Sequence, residues 1–346
     1  MKPRSPGGVL KKLVLSVLGI LVLALFASAL YNSACVRLLQ SRYPVPGTLY
    51  QVNGHAMHLY CTGTGSPAVV LEAGLGDDWI YWQKVQPEVA KTTRACSYDR
   101  AGVGWSDSQP DPRDAKNIAL QLHALLHQAN EAGPFLLVGG SAGGFYIREF
   151  TAMYPTEAAG LVFVDASVPA QIRELPDAGY SAATARKIHR DAMWDWLKSA
   201  SGWARLTRQC KGEVEKGLEA YAGLASAEAC RPAFAWSGVS EWDDFWRSAE
   251  EAAQAACCGD RPVLVISQDP NRSGMNAQVS ANQPIWNSLQ ESLKNLSPHT
   301  RRIIARTSGH HVMIDRPDVI VQGVQQLVLG IRTGTTDPAE GTTLVQ

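Results

Sequence analysis

The chain has 346 residues, 45% hydrophobic and 18% charged, and its 32 Lys/Arg balance 32 Asp/Glu for a formal net charge of zero. Those proportions exclude a disordered chain, and a balanced charge with no basic stripe gives no footing for nucleic acid. The length suits one large α/β domain carrying an insertion, or two modest domains.

The first element is of a different composition from the rest. Leu13 to Leu30 is an unbroken run of apolar and small residues with no polar face, unlike a soluble core helix. At 1.5 Å per residue it reaches roughly 27 Å, the thickness of a bilayer's hydrocarbon core. Lys2, Arg4, Lys11 and Lys12 precede it, Arg37 and Arg42 follow, and no acidic residue occurs before Glu72. The run therefore reads as a transmembrane signal anchor (13-30), with residues 1-12 cytoplasmic and the remainder outside. Ala27-Ser28-Ala29 also fits a small-x-small cleavage site, so secretion after signal-peptide removal is the alternative. Cys35 does not sit in a lipoprotein signal, because Asn32 occupies a position that needs an aliphatic residue.

A turn-rich linker (31-47) leads into the first part of the core (48-166). His55 to Cys61, Ala68 to Glu72 and Thr93 to Tyr98 read as strands, the second apolar enough to be buried on both faces. Asp114 to Ala132 reads as a helix with Ile118, Leu122, Leu125, Leu126 and Ala129 on one face, stopped by Gly133-Pro134. Phe135 to Val138 is a strand, Ala142 to Tyr154 a helix and Leu161 to Val164 a strand. Such alternation means a mostly parallel sheet wrapped by helices. It lapses over 167-260, an Ala- and Trp-rich stretch that reads as a helical cap holding Trp194, Trp196, Trp203, Trp236, Trp242 and Trp246. The core resumes over 261-332 with the strand Val263 to Ile266, the helix Trp286 to Leu296, the strand Arg302 to Ala305 and the helix Pro317 to Leu329. Residues 333-346 are small and polar and read as a disordered tail.

Gly139-Gly140-Ser141-Ala142-Gly143-Gly144 directly follows a buried strand and opens a helix, the setting a Gly-x-Ser-x-Gly nucleophile elbow requires. Gly139 and Gly143 permit a turn too tight for side chains. The turn holds the Ser141 hydroxyl at the sheet's C-terminal edge, and the Ala142 amide at the helix start faces a developing oxyanion. A serine needs a base. His310 lies after a glycine, following a strand and preceding the last helix, late in the chain as the elbow arrangement demands; His311 is adjacent. Two carboxylates fall between serine and histidine at strand ends: Asp269 after Val263 to Ile266, the preferred candidate, and Asp165 after Leu161 to Val164. The second oxyanion donor is expected in Ala73-Gly74-Leu75-Gly76, from the amide of Leu75 with Gly76 as runner-up. His123 and His127 stand four apart, but with no partner ligand in the sequence they read as a solvated helix face, and no metal site is expected.

Together these segments, with Tyr98-Asp99-Arg100-Ala101-Gly102-Val103-Gly104-Trp105-Ser106 and Leu161-Val162-Phe163-Val164-Asp165, resemble the α/β-hydrolase superfamily in its branch with a helical cap, over about Pro46 to Leu329. The resemblance implies an α/β-hydrolase fold with a mostly parallel sheet of about eight strands, a Ser-His-Asp triad and no cofactor. It favours Asp269, since the acid in that branch generally follows the strand at Val263 to Ile266. It assigns Tyr98 to Ser106 to the pocket rim. Many members carry His-Gly where this chain has Ala73-Gly74, and serine at the elbow rather than aspartate separates it from the epoxide-hydrolase and haloalkane-dehalogenase relatives. Its strand order places Cys61 and Cys96 on neighbouring strands and so implies a disulfide. Cys210 with Cys230 is a second pairing, within the cap, and one of the adjacent Cys257 and Cys258 is expected to pair elsewhere. The expected activity is a serine hydrolase cleaving a small-molecule ester or lipid-like substrate by acyl transfer, held to the membrane by its N-terminal helix, with no obligate protein partner. Another serine enzyme (peptidase, thioesterase, lactonase or perhydrolase) or a non-catalytic ligand-binding protein on the same scaffold is the alternative.

Overall fold

The computed structural model describes residues 6–175, 182–212, 214–335 and 343–345. One sheet organises them. Its strands are β1 (Thr48–Val52), β2 (His55–Thr62), β3 (Val69–Glu72), β4 (Ala95–Tyr98), β5 (Phe135–Gly140), β6 (Ala158–Val164), β7 (Val263–Ser267), β8 (Thr300–Ile304) and β9 (Thr343–Val345), in the spatial order β1-β2-β4-β3-β5-β6-β7-β8-β9. The pairs β1·β2 and β2·β4 are antiparallel, and from β4 to β9 every pair is parallel. The mostly parallel sheet of about eight strands that the resemblance implies is present, and the seven strands read from the sequence correspond to β2 to β8. The structure departs from the sequence reading at both edges. β1 is an added antiparallel edge strand, and residues 343–345 of the expected disordered tail pair with β8.

The strands are buried on both faces because they are apolar on both. Val69, Leu71, Leu136, Val138, Val162, Val164, Leu264 and Ile266 point into one layer, which the helix Pro317–Thr333 closes with Val319, Ile320 and Val324. The alternate residues, among them Val70, Leu137, Leu161, Phe163 and Val265, meet Leu122, Leu125, Ile147, Phe150 and Leu289 from the helices Ala115–Gln128, Gly143–Met153 and Ala277–Ser292. A parallel strand needs such a cover on each side. Asp114 and Asn276 cap two of these helices by accepting from the amides of Asn117 and Val279. The Asn276 cap starts the helix well before the expected Trp286.

Among the described residues no strand interrupts the cap. Its longer helices are Ala182–Ala200, Pro232–Asp243 and Phe245–Gln254. The last packs Phe245, Ala249 and Ala252 onto Ile118, Phe145 and Tyr146 of the core. Edge-to-face contact of Trp196 with Trp236 joins the other two, and Trp242 stacks on Phe245. These tryptophans hold cap helices together. Disulfides join Cys61 to Cys96 across β2 and β4, Cys210 to Cys230 within the cap, and Cys257 to its neighbour Cys258, so the last pair differs from the expectation that one of them pairs elsewhere. The N-terminal helix, Pro6–Gln40, contains a stretch, Leu10–Leu38, of mean hydropathy 2.8, long and apolar enough to cross a membrane.

Candidate active site

Ser141 sits between β5 and the helix Gly143–Met153 with φ of 49°, a left-handed conformation that a side chain adopts only under constraint. The constraint is visible in its neighbours. A Cβ on Gly139 would lie 2.6 Å from the Gly143 carbonyl oxygen, and one on Gly143 would lie 2.7 Å from that of Glu72. The strand, the turn and the helix therefore close on one another only with glycine at both positions. The backbone of Ser141 is also bridged to the next strand end, its amide donating to Val164 O and its carbonyl accepting from the Ser167 amide.

His310 follows β8 and brings Nε2 to 2.9 Å from Ser141 Oγ. Its other nitrogen, Nδ1, lies 2.6 Å from Asp165 Oδ2. Asp165 is fully buried at the end of β6, also with positive φ, 41°. Its second oxygen accepts from the Gln268 amide and from the Trp286 indole, each at 3.0 Å. The carboxylate is thus fixed by three donors, one of them His310. The expectation that Asp269 orients the histidine is not met. Asp269 spends both oxygens on loop amides, those of Asn271 and Thr307 at 2.9 Å each, and so staples the turn before His310. His311 points elsewhere, its Nδ1 3.1 Å from Glu215.

Burial opposes protonation of His310, but the hydrogen bond and charge of Asp165, joined by the charge of Asp77, outweigh it and hold the imidazole above its ordinary pKa of 6.5. The side chain is 41% exposed. Beside it opens a cleft of about 550 Å³, lined by Leu175, Met275, Val279 and Trp286 on its apolar side and by Gln268 and Asn282 on its polar side.

The loop after β3 passes close to the serine: a Cβ on Gly74 would lie 3.2 Å from Ser141 Cβ. Among the described residues the amides of Leu75 and Ala142 donate to no protein acceptor. The Gly76 amide is engaged, donating at 2.8 Å to Glu241 of the cap, which removes the runner-up oxyanion donor. Glu241 was not singled out by sequence reasoning, and neither was the cluster it completes. Arg100 binds Glu241 through Nε and Nη2 at 2.8 and 2.9 Å, Glu72 at 2.7 Å, and the carbonyls of Ala73 and Gly74 at 3.0 and 2.6 Å. Arg113 adds a contact to Glu241 at 2.9 Å. All four charged groups are buried. Despite its burial, Glu241 is driven down to a pKa of about 2 by the charges of Arg100 and Arg113. Where Ala73 leaves the loop without an organising side chain, the Arg100 guanidinium holds the loop by its carbonyls. The segment expected to shape the rim therefore does so through Arg100. Its neighbour Asp99 accepts from the amides of Trp79 and Trp105 and meets the buried His58 at 2.7 Å. That second His-Asp pair carries no nucleophile, since His58 Nε2 lies 2.5 Å from Pro46 O.

The His123–His127 pair has a neighbour that the sequence reading lacked. Glu157 Oε1 lies 3.0 Å from His123 Nε2 and 3.6 Å from His127 Nε2. His123 stacks on Tyr154.

Residues 67–317 match the family model described as alpha/beta hydrolase fold. An AB hydrolase superfamily protein of Gibberella zeae is 24% identical over 288 residues, covering 77% of this chain and 87% of the relative. An uncharacterised protein of Schizosaccharomyces pombe is 25% identical over 328 residues, of which the chain spans only 56% of the length. Among solved structures, a haloalkane dehalogenase from Bradyrhizobium elkani superposes with a TM-score of 0.60 at 20% identity, over 83% of this chain and 99% of that one, a likeness of fold. With a matching family model over most of its length and the sheet order already described, the chain belongs to the alpha/beta hydrolase fold family.

Proposed function

We propose that this hydrolase-fold protein is a serine carboxylic-ester hydrolase in which Ser141 is the nucleophile, His310 the base and Asp165 the acid. The observation that carries the reading is the continuous contact from Asp165 Oδ2 through His310 to Ser141 Oγ, at 2.6 and 2.9 Å. His310 Nε2 takes the hydroxyl proton as Ser141 Oγ bonds to the ester carbonyl carbon, and the carbonyl electrons move to its oxygen. The amides of Leu75 and Ala142 receive that oxyanion. Collapse breaks the bond to the alcohol, which leaves with the proton from His310. Water, deprotonated by the same imidazole, then releases the acid and restores the serine. Asp165 keeps Nδ1 protonated and stabilises the imidazolium without accepting its proton. The serine separates this site from aspartate-based dehalogenase chemistry, so the fold neighbour's halogenated substrates do not transfer to this chain.

The test is covalent. The full chain in detergent is expected to react with a fluorophosphonate probe at Ser141, while Ser141→Ala and His310→Ala do not label. The same two variants are expected to lower kcat on a short p-nitrophenyl ester by about 10⁴- to 10⁶-fold. A folded wild-type chain that stays unlabelled would move a non-catalytic binding role to the front.

The raised pKa of His310 sets the pH profile. Only the neutral imidazole accepts the serine proton, so kcat/KM rises with pH through the histidine's pKa. The acid limb is expected to have its midpoint above 6.5, the ordinary histidine value. In Asp165→Asn the residual rate is expected to titrate at lower pH, because burial then acts with less opposition. A limb that does not move in that variant would remove Asp165 as the group that raises His310.

We also infer that the apolar helix anchors the protein with its N-terminus cytoplasmic and the catalytic domain on the other side, as the preceding lysines and arginine favour.

A further inference from the structure

The apolar helix does not end where the domain begins. From Leu10 to Ala27 it is exposed all round, and contact with the body starts at Ser28. Asn32, the polar residue that disqualified Cys35 as a lipoprotein cysteine, is 1% exposed. Its Nδ2 donates to the carbonyls of Ser199 and Cys230 at 2.8 and 3.0 Å, and its Oδ1 accepts from Arg205 Nε at 2.7 Å. All three partners belong to the cap. Gly202 presses so close to the helix that a Cβ there would meet the Ser28 carbonyl oxygen at 2.3 Å. The cap, rather than the sheet domain, is therefore what grips the helix at these positions.

This grip fixes the cap's depth. If Leu13–Leu30 fills the roughly 27 Å of hydrocarbon, Ser28 and Asn32 lie within about one residue pair on either side of its boundary, at the level of the headgroups. Trp203 directly follows Gly202 and is 53% exposed; Leu206, one turn on, is 56% exposed. The helix Ala182–Ala200, whose Ser199 carbonyl takes the Asn32 bond, bares Trp194 at 60% and Leu197 at 46%, beside Arg190. Large side chains this bare on a water-facing surface are costly unless something covers them. On the helix itself Tyr31 is exposed at the same level. Tryptophan and tyrosine concentrate at membrane–water boundaries because an apolar ring and a polar edge suit both sides.

We infer that the cap rests on the bilayer, with Trp194, Leu197, Trp203 and Leu206 set into the boundary between headgroups and acyl chains beside the helix that Asn32 holds. The inference rests on the anchor reading and is independent of the hydrolase chemistry. It makes the cap a lipid-contacting surface whose distance from the membrane is set by its grip on the helix around Ser28 and Asn32.

The experiment uses the full chain reconstituted in phosphatidylcholine vesicles, at low protein-to-lipid ratio, with and without bromine atoms at carbons 6 and 7 of one acyl chain. Bromine quenches tryptophan emission only on close approach. Brominated lipid is expected to quench the wild type, and the double variant Trp194→Phe, Trp203→Phe is expected to lose at least half of that lipid-dependent quenching while labelling with fluorophosphonate like the wild type. Quenching that is absent in the wild type, or unchanged in the double variant, overturns the inference. Cross-linked dimers in unquenched vesicles would do so too, by assigning the patch to a second copy. Alkaline carbonate separates the two readings. A chain released from vesicles removes the anchor and the cap contact together, whereas one retained but unquenched removes the cap contact alone.

Discussion

Asp165→Asn is expected to lower kcat for ester hydrolysis by about 10⁴-fold, the scale of losing the group that fixes the tautomer of a catalytic histidine. Asp269→Asn is expected to leave kcat near that of the wild type. The contrast follows from what each carboxylate touches. Asp165 has no exposure and accepts from three donors, one of which is His310 Nδ1 at 2.6 Å. An asparagine amide there presents an N–H to the same nitrogen in one orientation. The imidazole then carries its proton on Nε2, where it cannot accept from serine. Asp269 instead accepts from Asn271 and Thr307, and its loss costs about 1 kcal/mol per bond in stability, not chemistry. Steady-state kinetics on one p-nitrophenyl ester, with both variants checked for wild-type melting behaviour, decides between them. A collapse of kcat in Asp269→Asn with Asp165→Asn unaffected would reverse the assignment and mean that the loop rearranges in solution.

The serine and the histidine were legible because each is announced locally. A buried strand, two glycines and a helix surround Ser141 within ten residues, and Ser308-Gly309 introduces His310. The aspartate that His310 meets was not, because β6 and β7 are adjacent parallel strands with Asp165 one residue and Asp269 two residues past their ends at the same sheet edge. Which of them the histidine meets depends on how the loop after β8 leans, and that is set by bonds no periodicity records: Trp286 to Asp165, and Thr307 to Asp269. The resemblance to capped relatives pointed to Asp269, whose carboxylate binds the Asn271 and Thr307 amides instead of His310. β1 escaped notice because an edge strand is half exposed and short, so its pattern carries little apolar signal. The cap showed as an absence of strands, but no sequence pattern says what its tryptophans touch; the structure uses Trp196, Trp236 and Trp242 as packing. Asn32 reads in the sequence only as an interruption after an apolar run. Its partners lie 167 and 198 residues away, beyond any local pattern. The same distance hid Glu241 from Arg100, 141 residues apart.

Glu241→Ala is expected to be the most destabilising single change in the cap, by about 3–5 kcal/mol, because it leaves two buried guanidinium groups without their shared carboxylate. Arg100 retains Glu72 and two carbonyls, but Arg113 loses the carboxylate that its guanidinium meets at 2.9 Å. Glu241→Gln keeps the volume and one acceptor and is expected to fall between alanine and the wild type. Both are read by thermal unfolding of the full chain in detergent, followed by circular dichroism. The acid side gives a sign that packing alone would not. The folded pKa of Glu241 is about 2, below the roughly 4.3 of a glutamate in an unfolded chain. Its stabilising contribution is therefore complete above about pH 4.3 and is lost as pH falls toward 2. Wild type is expected to lose more stability than Glu241→Gln across that window, so that the two unfolding curves converge in acid. Parallel curves would show that the carboxylate's charge contributes nothing. The catalytic consequence follows from Gly76, whose amide Glu241 holds at 2.8 Å, and from Arg100, which it shares with the carbonyls of Ala73 and Gly74. With that support gone, the Leu75 amide is no longer aimed by the loop. In Glu241→Gln, kcat is expected to drop by up to about 10²-fold while KM changes little, since an oxyanion donor acts in the transition state rather than in binding. If the Leu75 amide is the proposed oxyanion donor, Glu241 both seats the cap on the core and steadies that loop, so cap seating and turnover are expected to weaken together in its variants.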